Sequence, residues 1–97
     1  MTEEMEMICF QLIANSGAAK SAYLEALELA KAGQEQAAQA KLAEAEDCFV
    51  LAHQVHSELI QKEASGQQTP VSLLLIHTED QMASVEVVQL LVRELMA

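Results

Sequence analysis

The chain has 97 residues, enough for one compact domain spanning 1–97, and carries a formal net charge of −10 from 15 acidic against 5 basic residues. That sign opposes contact with a phosphate backbone or an anionic membrane surface, so nucleic acid is excluded as a partner and direct membrane insertion is not expected. Hydrophobic residues make up 52 %, yet there is no Trp, a single Tyr, three Gly and one Pro, a composition that starves strands and turns and suits an all-α fold.

The predicted elements follow from two interruptions. At Lys31-Ala32-Gly33-Gln34, Gly33 can adopt the left-handed conformation that closes a helix. At Ser65-Gly66-Gln67-Gln68-Thr69-Pro70, Gly66 ends a second helix, Thr69 is a natural N-cap and Pro70 suits the first helical position. The reading is therefore helix 1 over about residues 3–31, helix 2 over about 34–64 and helix 3 over about 70–96. Short connections of this kind give an antiparallel three-helix bundle.

Helix 1 carries a rough apolar stripe through Ile8, Leu12, Ala19, Tyr23, Ala26 and Ala30, interrupted at Asn15-Ser16-Gly17. Helix 2 carries a cleaner one, Ala38, Leu42, Ala45, Phe49, Ala52, His56 and Leu59, with steps alternating four and three. Its His56 falls on that stripe and reads as structural, while His53 is a minor candidate for a functional contact. The two do not form a zinc motif, being three apart with no nearby third ligand. Cys9 and Cys48 show no ligand spacing and read as small buried thiols in a reducing cytoplasm. The acidic start is unlike a signal peptide, and no stretch approaches the roughly 18 apolar residues of a membrane span.

Helix 3 is apolar around most of its circumference, its polar line being only Ser72, Glu79, Glu86 and Arg93. Two helices of the same chain can cover only part of such a surface, so another copy of helix 3 is expected to cover the rest. One heptad line reads Leu73, His77, Asp80, Ser84, Val87, Leu91 and Glu94. A carboxylate there calls for protonation, a partner or a cation. If the line faces a symmetry axis, copies of Asp80 converge, and a hard divalent ion such as Mg²⁺ suits their oxygens. On the residues alone, His77 is either a hydrogen-bonded interior histidine or a nucleophile oriented by Asp80 or Gln81 one turn on. No catalytic triad, Gly-rich phosphate loop or carboxylate pair is present.

Taken in order, several segments resemble the lactose/cellobiose-type IIA component of the bacterial sugar phosphotransferase system. They are Leu12-Ile13-Ala14-Asn15-Ser16-Gly17-Ala18-Ala19-Lys20-Ser21, Glu25-Ala26-Leu27, Ala30-Lys31-Ala32-Gly33, Ala52-His53, Leu59-Ile60-Gln61-Lys62-Glu63-Ala64-Ser65-Gly66, and Val71-Ser72-Leu73 leading to His77. The resemblance implies a homotrimer of three-helix protomers, a nine-helix bundle. It also implies a phosphoryl relay in the uptake of cellobiose-, lactose- or chitobiose-type β-disaccharides. There a phosphohistidine, matching His77, is formed from the phosphocarrier protein HPr and discharged to a cysteine of the IIB component. A buried, metal-associated aspartate matches Asp80, so a divalent cation at the trimer axis is implied as well. Relatives usually read His-x-Gln-Asp-His at this point, whereas this chain reads His77-Thr78-Glu79-Asp80-Gln81. Gln81 therefore stands where an imidazole near the phosphoryl site is usual, and it can donate a hydrogen bond but carry no charge. Glu79 introduces a negative charge near an incoming dianion. The alternative these departures leave open is a catalytically silent or regulatory trimer that keeps the fold and binds a partner.

Overall fold

The computed structural model describes residues 2–97 as three α-helices: α1 (Glu3–Lys31), α2 (Glu35–Ala64) and α3 (Leu73–Met96). They form a rod of 48 × 21 × 17 Å, and no strand occurs among the described residues. Both turns use glycine as the periodicity predicts. Gly33 has φ 78°, Gln34 N–H bonds Leu29 O and Gly33 N–H bonds Ala30 O. Gly66 repeats the arrangement at φ 101°, with Gln67 N–H on Lys62 O and Gly66 N–H on Glu63 O. Each pair of bonds satisfies carbonyls that the last helical turn leaves open, and the backbone conformation strains any residue with a Cβ.

The start of the last helix differs from the sequence expectation. Thr69 and Pro70 lie in an irregular segment, and the N-cap is Ser72, whose Oγ accepts the N–H of Leu75 at 3.1 Å. Ser72 has the extended backbone a cap needs, φ −147° and ψ 165°. A short hydroxyl three residues ahead of the accepted N–H is as good a start signal as Thr69-Pro70, and here it wins.

Helix α1 is the centre of the bundle. It runs antiparallel to α2 and parallel to α3. Residues sixty-six apart meet along the α1–α3 seam: Ser16 Oγ donates to Met82 Sδ at 3.1 Å, and Tyr23 OH accepts from Gln89 Nε2 at 3.0 Å. Both pairs move by seven residues, so the two helices keep a heptad register. The α2 stripe packs against α1 as its spacing predicts, with Ala38, Ala45, Ala52 and Leu59 buried. Three alanines in that stripe let the backbones approach closely, which compensates for a core with few large side chains. Cys9 is buried and Cys48 partly so, both as free thiols.

Helices α2 and α3 are joined mainly by long polar side chains. Glu46 accepts from Gln89 Nε2 at 3.0 Å and from Arg93 Nε at 2.8 Å. At the other end His56 Nε2 lies 2.8 Å from each oxygen of Glu79. Beyond the His56–Glu79 strut, toward the connection between the two helices, lies an open groove lined by Leu59, Ile60, Leu75 and Glu79.

Candidate functional site

The sequence of α3 distributes two sets of residues to two faces. Leu75, Thr78, Met82, Val85, Gln89 and Val92 are buried against the rest of the chain. Leu73, Ile76, His77, Asp80, Val87, Leu90, Leu91 and Leu95 are exposed. Exposure of the large apolar members runs from 54 % at Val87 to 83 % at Leu73. The heptad line read from the sequence is therefore the outer face of α3, and His77 and Asp80 stand on it among bare aliphatic side chains.

His77 is the fifth residue of α3, one turn from the Ser72 cap and nearer the helix start than a helix beginning at residue 70 would place it. Side chains in a helix lean toward its N-terminus, so the imidazole is carried toward the end where unpaired N–H groups favour an anion. The first turn of α3 has no acidic residue, whereas α1 has Glu3, Glu4 and Glu6 there and α2 has Glu35. Among the described residues His77 has no hydrogen-bond or ion-pair partner, which leaves its ring nitrogens open to a substrate. The interior, hydrogen-bonded alternative for His77 is not realised in the single chain.

Asp80 is exposed, also without a partner among the described residues. No group of three or more His, Cys, Asp or Glu side chains gathers within the described residues of one chain. Asp80 offers one carboxylate on a largely apolar surface. One chain contributes a single such ligand, so the fit to a divalent ion requires carboxylates from further copies.

Gln81 is partly buried and turned toward α1, where its Oε1 accepts from Lys20 Nζ at 3.4 Å. Glu79 is drawn to the opposite side. A carboxylate only accepts, so His56 Nε2 is the donor in this contact. The negative charge that the sequence places near the site is thereby held over α2 beside an imidazole. His56, read as structural from its stripe, acquires a definite partner. His53 is exposed and stacks on Phe49 with ring centroids 5.8 Å apart and planes at 29°. The groove between α2 and α3 takes in Glu79 but not His77.

Two features escaped the sequence reading. Lys20 lies off the α1 stripe, and nothing in the local pattern shows that it reaches α3. The cluster of Tyr23, Glu46, Gln89 and Arg93 was equally hidden, because its members come from three helices. Burial, followed by the hydrogen bond with Glu46, holds the Tyr23 phenol well above its ordinary titration range.

A small helical chain with an exposed histidine near a helix start, without a partner among the described residues and on a largely aliphatic face, fits a protein that works by docking. The particular family is settled by comparison: residues 7–97 match that of the lactose/cellobiose-specific IIA subunits of the PTS system, and the chain belongs to it. It is 42 % identical over 91 residues to the oligo-beta-mannoside-specific EIIA component of Bacillus subtilis strain 168, covering 94 % of this chain and 83 % of that protein. The lichenan-specific phosphotransferase enzyme IIA component of the same strain is 42 % identical over 82 residues, or 84 % of this chain and 74 % of the relative. Among solved structures, the PTS cellobiose-specific enzyme IIA from Bacillus anthracis superposes with a TM-score of 0.92 at 41 % identity, covering 99 % of this chain and 88 % of that one. The role that follows is that of a sugar phosphotransferase-system phosphocarrier. No described helix is long and apolar enough to cross a membrane.

Proposed function

We propose that this chain is a cytoplasmic phosphoryl carrier in which His77 accepts phosphate from phospho-HPr and passes it to a cysteine of a IIB component, serving the uptake of a β-disaccharide. The observation that carries the reading is the unpartnered, exposed imidazole of His77 one turn into α3 in a member of this family. A neutral ring nitrogen of His77 attacks phosphorus in line with the imidazole of HPr. The new N–P bond forms as the old one breaks, and the carrier's imidazole leaves with its electron pair. The phosphorylated ring then returns its surplus proton to solvent. Placement of the acceptor and neutralisation of charge supply most of what such a transfer needs. The labile phosphohistidine suits onward transfer to a thiolate.

Three copies assembling on the outer face of α3 complete this proposal. The exposed Leu73, Ile76, Val87, Leu90, Leu91 and Leu95 have no cover in one chain, and burying each large aliphatic side chain is worth roughly 1.5–3 kcal/mol. α1 offers a matching strip of exposed residues, Met7, Phe10, Ala14, Ala18 and Leu24. In such a trimer the three Asp80 carboxylates would hold a divalent cation, with Mg²⁺ the natural choice for oxygen ligands, and the ion would neutralise their mutual repulsion.

The test is incubation with phosphorylated HPr and detection of the added phosphoryl group by intact mass. The wild-type chain is expected to be labelled and His77→Gln to be blank. Labelling that survives in His77→Gln refutes the site. A wild-type chain that no competent phospho-HPr can label favours instead the silent, partner-binding trimer.

A further inference from the structure

We infer that Lys20 of α1 is a positioning residue for the phosphoryl site, orienting the Gln81 amide so that its N–H₂ end faces the phosphoryl group on His77. This rests on His77 being the acceptor, and it names what stands in for a second imidazole at the site.

The geometry begins with one contact. Lys20 Nζ donates to Gln81 Oε1 at 3.4 Å across the α1–α3 seam. An ammonium group has three donors and no acceptor, so only the oxygen end of the amide can turn toward it. The Nε2 end is thereby turned from the ammonium group, and it has no partner among the described residues. Gln81 follows His77 by four residues, which makes them neighbours on the helix surface about 5–6 Å apart at Cβ. The backward lean of helical side chains carries the amide toward the turn that bears His77. A phosphoryl group on that imidazole would then meet an N–H donor with a cation behind it. Polarisation along such a chain strengthens the outer hydrogen bond.

Charge bookkeeping points the same way. The chain has 15 acidic and 5 basic residues, and three of the five bases pair with carboxylates. Lys31 pairs with Glu28, Lys41 with Glu25 and Glu44, and Arg93 with Glu46. Lys20 and Lys62 pair with no carboxylate among the described residues, and of the two it is Lys20 that bonds a side chain of α3. Glu79, the acid nearest in sequence to the site apart from Asp80, is drawn toward His56.

The experiment measures the rate of labelling by phospho-HPr, with helicity checked by circular dichroism. Lys20→Met is expected to slow transfer roughly five- to tenfold, and Lys20→Arg, which keeps donors and charge, to restore most of the rate. In a Gln81→Leu background the further change Lys20→Met is expected to do nothing, because Lys20 acts through the amide. The side-chain amide signal of Gln81 in ¹⁵N-labelled protein should move on phosphorylation of the wild type and not in Lys20→Met. Labelled wild type with an unaltered rate and amide response in Lys20→Met overturns the inference and leaves His77 standing. Equal losses from Lys20→Met with and without Gln81→Leu also overturn it. No labelling of the wild type removes both readings together.

Discussion

The two faces of α3 are built from similar aliphatic residues and have opposite fates. On the inner face every polar group is satisfied within the chain: Thr78 Oγ1 donates to Leu74 O at 2.7 Å, and Gln89 bridges Tyr23 and Glu46. On the outer face His77 and Asp80 have no partner among the described residues, and side chains as large as Leu73, Leu90 and Leu95 are more than half exposed. Apolar content alone therefore does not separate core from docking surface. The difference lies in whether the polar residues interspersed with it are paired inside one chain, since burying an unpaired charge is costly.

That contrast can be broken most sharply by acidic substitutions two residues apart. Val85→Asp puts a carboxylate into a fully buried site and should unfold the chain, with a loss above ~4 kcal/mol read by denaturant titration. Val87→Glu should keep the helical circular dichroism and abolish assembly in sedimentation equilibrium. If Val87→Glu left the mass of the assembly unchanged, the outer face would not be the interface.

Asp80→Leu sharpens the same contrast with the opposite sign. If three carboxylates converge in the assembly, replacing them by packing should stabilise it by ~1–4 kcal/mol. The melting temperature should rise, and the response to a chelator should vanish. A lower melting temperature with unaltered chelator response would remove the cation from the proposal.

Smaller effects compare the struts between α2 and α3. Glu46→Ala removes an acceptor from Gln89 and Arg93 in a partly buried network and should cost ~1–3 kcal/mol. Glu79→Ala breaks a pair whose carboxylate is half exposed and should cost less than ~1 kcal/mol. Equal costs would show that the His56 strut matters as much as the Arg93 end.

The smallest effect is one of pH. Tyr23 is held above its ordinary range by burial, so the folded state keeps the phenol protonated after the unfolded chain has begun to lose the proton. Its contribution is complete below a pH of about 10 and declines above that value. Melts between neutral and alkaline pH should show this loss, and Tyr23→Phe should flatten it. Tyr23 is the single tyrosine of a chain without tryptophan, so tyrosinate absorbance reports its titration directly.

Much of this was legible in the order of residues. The three helices, the glycine turns at Gly33 and Gly66, the α2 stripe and the face carrying His77 and Asp80 all follow from periodicity and backbone preference, which are local properties. Family membership was readable as well, because it rests on segments spread along the chain. Tertiary structure decided what local rules leave open. It chose Ser72 over Thr69-Pro70 as the start of α3, where two acceptable caps lie three residues apart. It drew Glu79 toward His56 and brought Lys20 to Gln81, since the reach of a long polar side chain depends on the register between helices. It also divided the nearly all-round apolar surface of α3 into a buried and a bare face. Periodicity can mark such faces, but only packing against α1 determines which one turns inward.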